Sequence, residues 1–217
     1  METNAYQAPG VEEPSAKRGY TGQGFLLLVN VVTFSMYCIA WTLNLIASGL
    51  RLNVYVARIP SWLLQASDAT APWTVVGFYL CALTFAIFSF RASKNARALG
   101  LELRFPAGAT LYYHVVPLLN LFMPFRVMRD LREASNPESR ERYLKLWWGA
   151  YLLARLSVIY TRVWLVTEDG QKSFRAVTTQ DFFIGVPAVV SGCLSVFLLY
   201  DIHRGQSALA AAQGLDK

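Results

Sequence analysis

Five stretches of the chain are long, apolar and almost free of charge. Residues 20–50, 69–90, 105–125 and 182–200 contain no Asp, Glu, Lys or Arg, and 146–167 contains only Arg155 and Arg162. None shows the period-two alternation of a barrel strand, and a bilayer core of about 30 Å takes about 20 helical residues. Backbone groups in lipid have no water to bond, so such stretches cross as internally bonded helices. The pattern predicts an all-α membrane protein with spans at about 24–48, 70–91, 146–167 and 182–203.

The third stretch is different. It holds Pro117 and Pro124, each of which removes a backbone donor and clashes with the preceding turn, and it carries the polar His114 and Asn120. A fifth, kinked span and a re-entrant hairpin over 106–125 are the alternatives. Charge separates them, because short cytoplasmic loops of membrane proteins collect Lys and Arg. With a hairpin and a cytoplasmic N-terminus, fourteen Lys and Arg fall inside and four outside. With five spans the two sides hold eight and ten, and the bias vanishes. The expectation is four transmembrane helices plus one broken re-entrant hairpin, with both termini cytoplasmic.

The remainder forms short connections. Residues 1–19 hold Pro9, Glu12, Glu13 and Pro14 without an apolar run, so they read as a disordered cytoplasmic tail rather than a signal peptide. Residues 20–204 form the single membrane domain, with 51–68 as an external loop carrying Trp62 at headgroup level. Residues 126–145 form a charged amphipathic cytoplasmic segment, helical to Ala134 and stopped by Ser135-Asn136-Pro137. Residues 205–217 form a C-terminal tail. Trp73, Trp147, Trp148 and Trp164 lie near segment ends, where aromatic belts form.

Composition agrees with this reading. Hydrophobic residues make up 54% of the chain and charged ones 16%, and mean hydropathy is +0.33. An ordinary globular chain carries about 25% charged residues, so lipid must cover part of this apolar surface. The net charge of +6 falls in short groups beside apolar segments, a membrane pattern rather than a nucleic-acid one. Cys38, Cys81 and Cys193 each lie inside an apolar stretch and act as small packing residues. Without a C-x-x-C pair, and with only two histidines, no metal site is expected.

Three blocks occur in order: Arg91-Ala-Ser-Lys-Asn-Ala-Arg-Ala-Leu-Gly100, then Pro117-Leu-Leu-Asn-Leu-Phe-Met-Pro124, then Arg126-Val-Met-Arg-Asp-Leu131 followed by Ser135 and Trp147-Trp148. Together, over residues 90–148, they resemble a bacterial membrane family termed domain of unknown function 4328. Phe88 and Phe90 depart from its pattern, where a tryptophan near the helix end is expected, and so does His114, where an aromatic is usual. The resemblance implies a multi-helix protein of the bacterial inner membrane and assigns no activity.

Candidate chemistry is sparse. No H-E-x-x-H, G-x-S-x-G or Walker A sequence is present, and Asp181 and Asp201 stand at opposite ends of the last span. Arg155, near the middle of its span, is the sharpest feature, because a central arginine costs roughly 2.5–3.5 kcal/mol on insertion scales. Arg162 lies two turns further along the same face. That face is expected to point into the bundle, towards Asn30, Asn44, Asn120 or His114. It serves either as an anion or polar-solute site or as a clamp on carbonyls freed at Pro117. A second group, Arg91, Lys94, Arg97, Arg126 and Arg129, is positioned for phosphate or phospholipid headgroups, or simply anchors the topology. The small residues Ala188, Gly192 and Ser195 form a close-packing stripe.

The expected function is a non-enzymatic scaffold or sensor module with a basic cytoplasmic face. The alternative is a small transport or permeation protein for an anionic or polar solute, using the hairpin and Arg155. No cofactor is expected. The expected partners are the bilayer and its anionic phospholipid headgroups, not nucleic acid.

Overall fold

A computed structural model describes residues 20–53, 60–116, 118–137, 141–167 and 174–215, without the side chains of 51–53, 71, 115, 141, 157–167 and 174–181. The expected tail over 1–19, the middle of the loop at 54–59, Pro117, and the side chains of Arg162 and Asp181 lie outside the described set. The described residues form six α-helices and one 3₁₀ turn, with no strand. They are α1 (Gly24–Asn53), α2 (Ser61–Ala98), α3 (Ala107–Val115), the turn Leu119–Leu121, α4 (Met123–Ser135), α5 (Glu141–Thr167) and α6 (Phe174–Ala212).

Among the described residues, three helices are long and apolar enough to cross a membrane: Gly24–Leu50 within α1, Pro72–Ala98 within α2 and Phe182–Ala212 within α6. Only 17% of the α1 window is buried inside the protein, against 50% of the α6 window, so α6 is central and α1 faces outward. Phe25, Leu28, Ile39, Tyr79, Leu83 and Phe197 are all more than half exposed, a band that lipid would cover. The 27-residue α5 is not among the three. Its Arg155, Arg162 and three tryptophans lower its hydropathy.

The helices pack in the order α2–α1–α6–α5. Close approach of α1 and α6 follows from missing side chains. A Cβ at Gly185 would meet Trp41 and Leu45 at 2.8 and 2.9 Å, and one at Gly192 would meet the Cys38 sulfur at 2.6 Å. Polar pairs set α1 against α2: Asn30 donates to the Thr84 carbonyl at 3.2 Å, and Ser67 donates to Asn44 Oδ1 at 3.1 Å. The second of these explains a difference from expectation. Residues 61–68, expected in a loop, are the first turns of α2, and the helix runs through Pro72. Charge and proline argue locally for a break, but the bonds of Asn44 with Ser67 and Thr70 hold this turn against α1.

Between α2 and α5 the chain forms a hairpin. α2 ends at Gly100, whose φ of 79° needs no Cβ. The Leu101 amide caps the helix by bonding the Ala96 carbonyl at 2.9 Å. α3 lasts nine residues and stops at Val116, with φ −79° and ψ 118°. That is the extended conformation into which a residue before proline is pushed. The 3₁₀ turn reverses the direction, and Pro124 in the first turn of α4 is tolerated because its missing donor has no helical partner there. α4 then buries Val127, Met128, Leu131, Arg132 and Ser135 on one face.

Both feet of this hairpin stand at the same end of the bundle. The Arg104 amide bonds Asp130 Oδ2 at 2.9 Å. Asn136 bonds Asp201 Oδ1 at 2.8 Å, and Gln213 bonds the Leu99 carbonyl at 3.2 Å. The start of α1, the end of α2, the end of α4 and the end of α6 therefore meet at one end, called here the basic end. Residues after 204, expected as a tail, continue α6 as helix to Ala212. They do so because Gln206 and Gln213 are bonded into the bundle.

The main core lies just inside this end. Phe88, Met128, Leu131, Leu144, Leu199 and Ile202 are completely or almost completely buried there. Each such side chain contributes about 1.5–3 kcal/mol by leaving water.

Candidate functional site

Above the hairpin turn, α2 and α5 meet only through side chains, and a cavity of about 370 Å³ opens between them. Its walls are mostly aromatic and apolar: Phe34, Trp41, Phe78, Phe85, Trp147 and Ile184. Polar side chains from several elements reach it, among them Arg155 and Tyr151 of α5, His114 of α3 and Asn120 of the 3₁₀ turn. This combination of apolar walls with a few convergent polar groups is the usual form of a small-molecule site.

Arg155 crosses the gap. Its guanidinium carbon lies 3.2 Å from the centroid of the Phe78 ring and 5.4 Å from that of Tyr151. Tyr37 and Tyr79 are its further polar neighbours. No carboxylate among the described residues pairs with it. A desolvated cation–π contact contributes about 2 kcal/mol, which offsets much of the cost of an arginine at this depth. Stacking uses the face of the guanidinium and leaves the in-plane N–H groups for an acceptor.

His114 is held at one nitrogen only. Its Nδ1 lies 2.6 Å from the Thr110 carbonyl oxygen. A carbonyl can only accept, so Nδ1 carries the proton. Nε2 is buried without a hydrogen-bond partner. The ring packs on Phe85, which stacks in turn on Trp147. Trp41 Nε1 is a second buried, unpartnered polar atom on the cavity wall. Asn120 Oδ1 accepts from the Tyr151 hydroxyl at 3.1 Å, tying the hairpin turn to α5. Its own amide bonds the Val116 carbonyl at 2.8 Å, which bridges the break in the hairpin.

Arg155, His114 and Asn120 therefore meet at one cavity. Asn30 and Asn44, also considered as partners of Arg155, are engaged between α1 and α2 instead. The described contacts of Arg155 are with aromatic rings, so it does not clamp described carbonyls at the break. Trp147, expected in an interfacial belt, is a core residue, 4% exposed, donating to Ser195 Oγ at 2.8 Å. A tryptophan in mid-bundle needs a partner for its N–H, and α6 supplies one. Phe78 and Trp41 carried no signal in the sequence, since both are aromatic residues within apolar spans.

The five basic candidates do not converge. Lys94 lies over Phe90 at 4.8 Å, and Arg97 donates to the Phe105 carbonyl at 2.9 Å. Arg129 packs on Phe125 and lies 3.8 Å from Glu133. Arg126 and Arg129 share a surface cavity of about 340 Å³ with Arg104, Asp130 and Glu133, where the acids offset much of the charge. Arg91 is half-buried and does not line this cavity.

The fold and its lipid-facing apolar helices define an all-helical membrane protein with a cavity inside the bundle. The chain belongs to the DUF4328 family, described as a domain of unknown function, whose match covers residues 56–204. No curated protein and no solved structure matches it.

Proposed function

We propose that the protein is a non-enzymatic sensor or scaffold module of the bacterial inner membrane. In this reading α1, α2, α5 and α6 span the bilayer, the hairpin over 106–125 re-enters from the cytoplasm, and both termini are cytoplasmic. The observation that carries it is the joining of four helix ends and both hairpin feet at the basic end. Gln206 of α6 stands at the centre. It accepts from Gln23 at 2.9 Å and donates to the Ala92 carbonyl at 3.0 Å and Ser135 Oγ at 3.2 Å. Asn95 bonds the Thr21 carbonyl at 2.7 Å beside it. The basic residues surrounding this end are suited to anionic headgroups, each contributing about 1 kcal/mol near such a surface.

Single cysteines at Arg104 and Arg140, in a chain whose Cys38, Cys81 and Cys193 are replaced by alanine, test the topology. Both are expected to react with a membrane-impermeant maleimide only from the cytoplasmic side. Labelling from opposite faces would establish five spans and remove the reading. The cavity supports a second reading, transport or permeation of an anionic or polar solute, because broken helices near mid-membrane commonly form such sites.

A further inference from the structure

The geometry points to a lateral binding cleft for a single-chain amphiphilic carboxylate, with the head on Arg155 and the chain among the aromatic walls. This inference rests on α2 and α5 lying in the bilayer, as proposed above, and adds to it the ligand class and route of access. Three observations converge.

The first is access. α2 and α5 flank the cavity and meet across it through side chains, Phe85 on Trp147 and Phe78 on Arg155. At the basic end the hairpin packs on α2 through α3 and on α5 through α4, and the cavity reaches the surface beside α2. Val75 and Tyr79 of α2 line the cavity and are themselves more than half exposed, so its rim on this side is open and largely apolar. A molecule already dissolved in the bilayer enters without leaving lipid.

The second is charge. Among the described lining residues, Arg155 is the one fully charged side chain, and there is no aspartate or glutamate among them. One guanidinium balances one negative charge. Its in-plane N–H groups, which also reach the Tyr151 hydroxyl, match the two oxygens of a carboxylate, a pairing shorter and stronger than a neutral hydrogen bond.

The third is size and unmet bonding. A cavity of about 370 Å³ takes one chain or ring system, not the two chains of a phospholipid. His114 Nε2, held as an acceptor by the Thr110 bond, is left for a donor from the ligand or an accompanying water. Phe85, which carries His114, is seven residues along α2 from Phe78, which carries Arg155, or about 10 Å of helix. Head and inner contact are thus about one short chain apart.

The test uses the full chain in nanodiscs of uncharged phosphatidylcholine, with dibrominated stearate as quencher of tryptophan fluorescence. Trp41 and Trp147 line the cavity, so occupancy appears as a saturable component above the quenching by dissolved lipid. The expected result is saturable quenching by the carboxylate and none by its methyl ester. Arg155→Gln is expected to weaken it about tenfold or more, equivalent to about 1.4 kcal/mol. Ala82→Phe, which fills the cavity and leaves Arg155 in place, is expected to abolish it, so the result stands even where Arg155→Gln folds poorly. Equal saturable quenching by the ester would overturn recognition by charge. Saturation by brominated phosphatidylglycerol but not by stearate would overturn the single-chain assignment in favour of a phospholipid headgroup. No saturable component with either, alongside one-sided labelling at Arg104 and Arg140, would overturn the cleft while leaving the topology standing.

Discussion

The basic end and the mid-bundle cavity are built from similar residues and treat them in opposite ways. At the basic end, Gln23, Asn95, Ser135 and Gln206 are buried and join four elements through their bonds, although Gln23 Oε1 and Ser93 Oγ there are left without a partner. In the cavity, Trp41 Nε1 and His114 Nε2 are buried with no partner, and the cation of Arg155 faces rings rather than an acid. Buried polar groups that are satisfied tie elements together, whereas those left open in a low-dielectric site cost stability and are positioned for a ligand. The first region therefore reads as the joint of the fold and the second as its site.

This contrast breaks most sharply at Gly205. Any Cβ there would overlap the Ser135 carbonyl, the backbone by which α4 docks on α6. Gly205→Ala is expected to lower stability by about 3 kcal/mol, the upper end of ordinary overpacking, because backbone cannot move aside like a side chain. Thermal unfolding in detergent measures it. An unchanged melting temperature would mean that the hairpin foot is not docked.

Gln206→Leu comes next. It leaves the Gln23 amide, the Ser135 hydroxyl and the Ala92 carbonyl without their partner. A loss of about 2 kcal/mol is expected by the same melting measurement, since each orphaned buried group costs about 1–3 kcal/mol and some will rebond.

Arg155→Leu sharpens the comparison from the other side. It removes a cation–π contact of about 2 kcal/mol together with an insertion cost of roughly 2.5–3.5 kcal/mol. The two nearly cancel, so the melting temperature is expected to change less than in Gln206→Leu. A larger loss than in Gln206→Leu would make Arg155 a structural clamp and erase the difference between the regions.

The smallest effect is expected at Gly149 of α5, where an added Cβ meets nothing within 4 Å. Gly149→Ala should raise stability by about 0.5–1 kcal/mol through helix propensity alone. It also serves as the background against which the Gly205 result is read.

The helical class, three apolar spans and the family were legible in the sequence because they rest on local quantities: run length, absence of charge, and the blocks around Arg91–Gly100 and Pro117–Pro124. Arg155, His114 and Asn120 were legible as candidates because a polar group in an apolar run is conspicuous on its own. Helix ends were less legible. The charge-free run begins only after Asp68, so residues 61–68 read as loop and those after 204 as a tail, and long-range bonds from Asn44, Ser135 and Leu99 overrode both. Trp147 near a segment end looked interfacial, and only the position of Ser195 on α6 made it core.

The sequence by itself determined that this chain forms apolar helices and where its helical hairpin breaks, since proline acts on its own neighbours whatever surrounds them. Only the tertiary structure decided what those helices enclose. The pairing of Arg155 with Phe78 joins residues 77 positions apart across two helices that meet only through side chains. Gln206 meets Gln23 across 183 positions. No spacing rule reaches so far along the chain, because which polar groups are bonded and which are left open depends on how whole helices stack.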